Sequence, residues 1–74
     1  MEETLRLLIA RIAEVPPDFP IDAHLRDDLD IDSFRAAELV FEIERVLSTK
    51  LPDALFAEAQ SFSDILKLVT SVAA

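Results

Sequence analysis

Residues 33–47 read SFRAAELVFEIERVL and carry the clearest helical pattern of the chain. The aliphatic residues of this stretch recur at the spacing of an α-helix, and at 100° per residue they fall within about 60° of one direction. These residues are Ala36, Leu39, Val40, Ile43, Val46 and Leu47. Phe34 and Phe41 point almost the opposite way, among charged residues. The stretch predicts an amphipathic helix whose two outer aromatics form a contact surface for a partner or pack under a loop.

Two more main helices are predicted, one before this stretch and one after it. The first should end near Glu14, because Pro16 and Pro17 cannot continue a helix. The last should begin at Ser61, a favoured N-cap residue that is followed three residues later by an acid, Asp64. Their apolar stripes consist of Leu5, Leu8, Ile9 and Ile12 in the first helix and of Ile65, Leu66, Val69 and Val72 in the last.

The connections between these helices complete the expected architecture. Pro52 suits the first turn of a short helix that runs to about Ala59. Residues 15–32 form a long connection with three prolines, which we expect to be anchored on the core. The candidate anchors are Phe19, Ile21, Leu25 and Leu29. No period-two run predicts a strand. We therefore expect residues 1–74 to form a single all-α domain, a small four-helix bundle with three main helices, one short helix and a long first loop.

The composition excludes several classes of function. The 74 residues include 15 acids and 7 lysines or arginines, for a net charge of −8, which disfavours nucleic acid and favours basic protein partners. The chain has no cysteine and no glycine, which excludes thiol chemistry and glycine-rich phosphate loops. No apolar run is long enough to span a membrane, and the acids near the N-terminus are unlike a signal peptide. We expect a cytoplasmic protein.

Catalytic and metal chemistry find little support in the sequence. His24 is the only histidine, and a lone histidine in a loop usually faces solvent or holds a hydrogen bond. Asp28, Asp30 and Asp32 alternate as in the first half of an EF-hand loop, but the glycine and the final glutamate of such a loop are missing. A degenerate acidic metal-binding domain is therefore the weakest hypothesis. We expect no catalytic residue and no metal site, so the chain is not predicted to be an enzyme.

Asp32 and Ser33 stand at the head of the central helix, where either residue suits the N-cap. Here the chain resembles the acyl carrier proteins. The likeness is clearest in residues 27–47, which read DDLDIDSFRAAELVFEIERVL and look like the family's acidic-Leu-Gly-x-Asp-Ser-Leu run with the Glu-Leu-Val that follows it. It continues in residues 51–56, LPDALF, which are similar to the Ile-Pro-Asp opening of the family's short third helix. The resemblance covers nearly the whole chain and implies an acyl-carrier-like bundle.

The resemblance also implies a covalent cofactor and a set of partners. Ser33 would carry 4′-phosphopantetheine through its hydroxyl, with Asp32 helping to position it, and a phosphodiester anion suits the positive end of a helix. Acyl intermediates would travel on this arm as thioesters in fatty-acid or specialised acyl and polyketide biosynthesis. The partners would be a phosphopantetheinyl transferase (holo-acyl-carrier-protein synthase) and acyl-loading, acyl-transfer or condensing enzymes with basic patches, and the carrier would be a monomer. The docking face for them would consist of Phe34, Glu38, Phe41 and Glu44.

Several residues depart from the family pattern, and two alternative functions stay open. Asp30 replaces the usual glycine, and Arg35 and Arg45 stand where fatty-acid carriers are commonly acidic. The outer face of the helix therefore carries both signs of charge, which is expected to change partner choice. One alternative is an aminoacyl or peptidyl carrier protein, although peptidyl carriers more often place histidine before the serine. The other is an unmodified helical interaction domain whose Phe34/Phe41 face binds a basic partner helix.

Overall fold

The computed structural model describes residues 1–73 and contains four α-helices: α1 Glu2–Ala13, α2 Ser33–Leu47, α3 Asp53–Glu58 and α4 Phe62–Ala73. Helix α1 packs against α2, and α3 packs against α4. Over the described range the chain forms no strand, and its isolated β-bridge pairs His24 with Ser61. The predicted all-α bundle of three main helices and one short helix is confirmed. None of the helices in residues 1–73 has both the length and the apolar composition that crossing a membrane requires.

Helix α1 ends where the sequence predicts. Glu14 follows its last residue in a left-handed conformation, with φ at 59°, and the Glu14 N–H donates to the carbonyl of Ala10. The prolines at 16 and 17 follow after one residue, Val15. Because the helix closes its own last turn before the prolines are reached, its end is set by local chemistry.

Helix α4 begins with the reciprocal cap that its sequence predicts. The Ser61 hydroxyl oxygen accepts a hydrogen bond from the Asp64 N–H at 3.2 Å, and the Asp64 carboxylate accepts one from the Ser61 N–H at 3.2 Å. The same carboxylate accepts from the N–H of Gln60 at 3.0 Å. The Gln60 N–H above all, together with Ser61, holds the pKa of the Asp64 carboxyl below its usual value. These bonds satisfy N–H groups that a helix start leaves without partners.

One apolar core lies between the helices and the crossover segment, which we define as residues 14–32. Its largest fully buried side chains come from α1, α2 and α4: Leu5, Ile9, Leu39, Ile43, Phe62, Ile65 and Val69. The short helix α3 adds Phe56, which is only partly buried. The prediction was wrong for Val46, whose side chain is 45 % exposed, because it lies in the last turn of α2 at the edge of the apolar stripe.

The crossover segment is anchored on this core. Three of its four predicted anchors are buried, and these are Phe19, Leu25 and Leu29. The prediction was wrong for Ile21, which is 49 % exposed. A turn closed by the Ala23 N–H and the Pro20 carbonyl at 3.0 Å separates Ile21 from the core, and Ala23 is buried in its stead.

Arg6 joins helix α1 to the crossover segment and to α4. Its guanidinium carbon lies 4.9 Å from the ring centre of Phe19 and 4.8 Å from that of Phe62, and these two rings meet edge to face at 5.1 Å. The guanidinium also donates to the carbonyl of Pro17 at 2.9 Å and to that of Phe19. A planar guanidinium can stack on aromatic rings while its edge donates hydrogen bonds. Arg6 therefore stabilises the path of the crossover segment towards α2.

Candidate functional site

Ser33 is the first residue of helix α2, and its side chain is exposed. The N-cap is Asp32, whose carboxylate accepts a hydrogen bond from the Arg35 N–H at 2.9 Å, while its backbone carbonyl accepts from the Ala36 N–H at 2.8 Å. The sequence allowed either Asp32 or Ser33 as the N-cap, and in the structure the cap is Asp32. Since Asp32 performs the capping, the Ser33 hydroxyl is left facing solvent at the head of the helix.

The first turn of α2 also contains backbone N–H groups without hydrogen-bond partners. The N–H groups of the first turn have no partners within a helix, and here the side-chain cap satisfies the one on Arg35. The backbone N–H groups of Ser33 and Phe34 have no hydrogen-bond partner among the described residues. Together with the helix dipole, they favour a negative group at this position.

The turn before Ser33 depends on Asp30. This residue has φ at 56°, in the left-handed region that glycine adopts most readily. The residues on either side, Leu29 and Ile31, are both buried. The Ile31 N–H donates to the Leu25 carbonyl at 2.9 Å, which folds the crossover segment back on itself directly before the helix. Asp30 therefore lets the chain reverse direction while both neighbours stay in the core.

A cleft of about 410 Å³ opens beside Ser33, between helix α2 and the region of α3. Its lining is mainly apolar and is contributed by Leu25, Ile31, Ala36, Leu39, Phe56, Ala57 and Ala59. The polar lining residues are His24, Arg26, Asp32, Ser33 and Gln60. A flexible chain attached at the Ser33 hydroxyl could therefore enter an apolar space without crossing the core.

His24 is a hydrogen-bonding element of this wall, as predicted for a lone histidine. Its ring Nδ1 accepts from the Asp27 N–H at 3.1 Å, and its backbone N–H donates to the Asp28 carboxylate at 2.7 Å. Because Nδ1 accepts, the neutral ring carries its proton on Nε2. The histidine thus stabilises the turn that precedes Leu29.

The outer face of α2 exposes both aromatic residues that the sequence places there. Phe34 is 78 % exposed and Phe41 is 64 % exposed, with exposed Glu38 between them. The alternative that they pack under the long loop is therefore wrong. Two exposed aromatics one turn either side of an acid are typical of a contact surface.

The arginines that depart from the family pattern are partly engaged within the chain. Arg45 and Arg11 both contact the Glu42 carboxylate, at 2.7 and 3.1 Å. The hydrogen bond from Arg45 is the main cause of a lowered pKa for Glu42. Arg35 donates to the Ile12 carbonyl at 3.2 Å, which ties α2 to α1. The mixed charge predicted for this face is present. Two of its groups, Arg35 and Glu42, also form bonds that connect α2 to α1.

Glu44, which the sequence assigns to the docking face, also has a role inside the chain. It is half-buried, and its carboxylate accepts from the Leu51 N–H at 2.8 Å. This bond joins the end of α2 to the segment that leads into α3. Periodicity could not reveal it, because the bond depends on how residues 48–52 fold back.

No group of three or more metal-ligating side chains occurs among the residues that the structure describes. Two acids of the crossover segment, Asp28 and Asp32, accept hydrogen bonds from backbone N–H groups.

Residues 3–69 match the family model described as a phosphopantetheine attachment site. The chain belongs to this family. Its members are carrier proteins, not catalysts, and bear a covalently attached 4′-phosphopantetheine group. Carrier domains of this kind interact with a phosphopantetheinyl transferase and with acyl-handling enzymes. The head of α2 has features that fit such a group, because an exposed serine, N–H groups without partners and an apolar cleft lie there.

Proposed function

We propose that Ser33 is the attachment residue and that its hydroxyl oxygen forms the phosphodiester with 4′-phosphopantetheine. The observation that carries this proposal is the exposed Ser33 hydroxyl at the mouth of the apolar cleft. The free N–H groups of Ser33 and Phe34 and the positive end of the α2 dipole stabilise the phosphodiester. Asp32 holds the first turn in shape through its bond to the Arg35 N–H.

The other serines of the matched region are less suited to this role. Ser61 uses its hydroxyl in the cap of α4. Ser48 ends α2 in a left-handed conformation, at the negative end of the helix dipole. Ser63 lies within the first turn of α4 and is half-buried. Only Ser33 among these four combines exposure, a helix start and the lining of the cleft.

The proposed cargo is an acyl intermediate, carried as a thioester in fatty-acid or specialised acyl and polyketide biosynthesis. The predominantly apolar lining of the 410 Å³ cleft supports an aliphatic chain over a charged aminoacyl group. The cysteine-free, acidic composition supports a monomer in the cytoplasm that meets basic partners. An aminoacyl or peptidyl carrier shares the same attachment chemistry, and it differs only in what the arm holds.

The attachment is tested by intact mass after incubation with coenzyme A and a broad-specificity phosphopantetheinyl transferase. We expect wild type to gain the mass of one phosphopantetheine arm and Ser33→Ala to gain none. Ser71→Ala removes another exposed serine that lies within a helix, so it is the matched control and should load like wild type. Ser33→Ala should stay folded in circular dichroism, because Asp32 and not Ser33 caps the helix. Loading of Ser33→Ala would place the arm on another residue, and no loading of any variant would favour the unmodified interaction domain.

We further propose that partners dock on the outer face of α2, at Phe34, Glu38 and Phe41, with half-buried Glu44 at its edge. The exposure of both aromatic rings supports this face. Glu38 has no ion-pair partner among the described side chains, so it is available to a basic partner. An apolar contact flanked by a charge gives both binding energy and orientation.

The docking face predicts a local effect of charge reversal. Glu38→Lys should slow association with the transferase by about tenfold at low salt and weaken the dependence of that rate on NaCl, because a steering attraction becomes a repulsion. Asp22→Lys makes the same change of charge at an exposed residue of the crossover segment, outside α2. Stopped-flow association rates at several NaCl concentrations measure both variants. Equal slowing by the two would mean that total charge, and not this face, guides docking.

A further inference from the structure

Arg26 is a cation in the wall of the cleft beside Ser33. It is exposed, and it lines the same cleft as Ser33. It is also the only lysine or arginine in residues 15–32. The carboxylates that follow it before the helix are those of Asp27, Asp28, Asp30 and Asp32. Of these four acids only Asp32 lines the cleft, so the lining carries one carboxylate and one guanidinium near Ser33.

The backbone of the crossover segment holds Arg26 in this place. Leu25 is hydrogen-bonded on both sides, since its N–H donates to the Gln60 carbonyl at 2.8 Å and its carbonyl accepts from the Ile31 N–H at 2.9 Å. Ile31 lies two residues before Ser33. The residue after Leu25 is thus fixed between the head of α2 and the segment that joins α3 to α4.

The neighbouring acids do not neutralise Arg26. No carboxylate among the described side chains lies within ion-pair distance of its guanidinium. Asp28 accepts from the His24 N–H at 2.7 Å, and Asp32 accepts from the Arg35 N–H at 2.9 Å. With these acids used in the backbone turns, the guanidinium remains available to another anion.

We propose that Arg26 binds the phosphodiester of the arm on Ser33 and thereby positions the arm towards the cleft. The inference rests on the attachment proposed above. A phosphodiester on Ser33 adds a negative charge next to the residue that carries the Asp32 carboxylate, and like charges at short range repel. A guanidinium offers several N–H donors to phosphate oxygens and keeps its charge at any relevant pH. Arg26 is therefore a positioning residue for the arm.

The test compares the unloaded and loaded forms of wild type, Arg26→Gln and Lys50→Gln. Loading uses coenzyme A without an acyl group, so the phosphodiester is the only anion added and a charged cargo cannot account for the result. Lys50→Gln removes the same charge beyond the far end of the 15-residue helix α2, about 22 Å away at 1.5 Å per residue. Intact mass establishes the extent of loading, and thermal unfolding then gives the shift in midpoint on loading.

For each protein we compare the change in unfolding midpoint on loading. We expect this change to be about 2–5 °C more negative in Arg26→Gln than in wild type and Lys50→Gln. This difference should shrink at 0.5 M NaCl, where exposed charges are screened. In a ¹H–¹⁵N spectrum of wild type, the Nε–Hε signal of Arg26, assigned by its absence from Arg26→Gln, should move on loading while that of Arg11 stays. Both readouts report on the loaded arm and not only on the fold.

Three outcomes decide the inference. Complete loading with equal midpoint shifts in all three proteins and an unmoved Arg26 signal would overturn it and leave the attachment to Ser33 intact. A midpoint change that is more negative in Arg26→Gln, together with an Arg26 signal that moves in wild type, would support it. No gain of mass in any of the proteins would overturn the proposed attachment, and the role of Arg26 with it.

Discussion

Asp30 shows how a single residue sets up the site. It takes φ at 56° between Leu29 and Ile31, which are both in the core. A left-handed conformation costs roughly 1–2 kcal/mol for most residues, less for aspartate and least for glycine. The left-handed turn at Asp30 places Asp32 at the N-cap of α2 and leaves Ser33 exposed at the start of the helix.

Substitutions at Asp30 should follow this ranking. We expect Asp30→Ala to lower the free energy of unfolding by about 1 kcal/mol, while Asp30→Gly leaves it unchanged or slightly higher, because glycine adopts positive φ without strain. Urea denaturation followed by circular dichroism measures both. An Asp30→Ala protein as stable as Asp30→Gly would contradict this ranking and show that the left-handed conformation has no measurable cost at this position.

The choice between Asp32 and Ser33 also belongs to single residues. Both suit an N-cap, so sequence pattern alone treats them as equivalent. The structure gives the cap to Asp32, since its carboxylate reaches the Arg35 N–H at 2.9 Å. The Ser33 hydroxyl is therefore not needed for the cap and is available for the proposed attachment.

At the scale of elements, helix α4 is the clearest case of a helix start that the sequence predicts completely. The partners of its cap, Ser61 and Asp64, are three residues apart, so their hydrogen bonds depend on local chain geometry alone. We expect Ser61→Ala to lower the free energy of unfolding by about 0.5–2 kcal/mol. A loss within error of zero in urea denaturation would mean that packing of Phe62 and Ile65 alone sets the start of α4.

The Asp64 carboxylate of the same cap predicts a pH dependence. Its pKa in the folded state is lowered by the N–H groups of Gln60 and Ser61. A lowered pKa stabilises the fold above the unfolded pKa of about 3.9, and this contribution is lost as the pH falls through the folded value. The difference in unfolding free energy between wild type and Asp64→Asn should therefore be constant near neutrality and shrink below about pH 4.

Urea denaturation at pH values from 7 down to 3 measures this difference. Asp22→Asn removes an exposed carboxylate for which no hydrogen bond is seen, so it controls for the change in total charge. The two variants should diverge from each other near neutrality and converge in acid. A difference for Asp64→Asn that stays constant down to pH 3 would mean that the cap does not depend on the charge of the carboxylate.

Helix α2 divides its work between two faces. Leu39 and Ile43 are fully buried, while Phe34 and Phe41 are exposed on the other side. The amphipathic pattern predicts both faces, because it depends only on 100° steps around the axis. It overestimates the buried stripe at Val46, because periodicity carries no information on where the neighbouring elements stop.

At the scale of the whole molecule, charge is the dominant feature. The net charge is −8 on a body of 26 × 22 × 19 Å. At 10 mM salt the screening length is about 30 Å, so each charge interacts with all the others, whereas at 0.1 M it falls to about 10 Å. Self-repulsion should therefore destabilise the fold most at low ionic strength.

The thermal midpoint should accordingly rise by several degrees between 10 and 300 mM NaCl. Scanning calorimetry over that range measures it, and NaCl is preferred to sulfate because sulfate also stabilises by exclusion from the protein surface. A midpoint that falls with NaCl would show that ion pairs such as Arg11 and Arg45 with Glu42 outweigh the repulsion.

Helix positions, the cap of α4 and the outward direction of Phe34 and Phe41 follow from the sequence, because each depends on residues within a turn or two of one another. The apolar stripes of α1 and α4 and the cap at Ser61 are of this kind. Four other features do not follow from residues close together in the chain. These are the choice of Asp32 as cap, the outward position of Ile21, the stacking of Arg6 on Phe62 and the place of Arg26 in the wall of the cleft. They depend on alternatives of nearly equal local energy or on contacts between segments far apart in the chain. Only packing of the whole molecule decides between such alternatives, since it buries one side chain and leaves its neighbour in water.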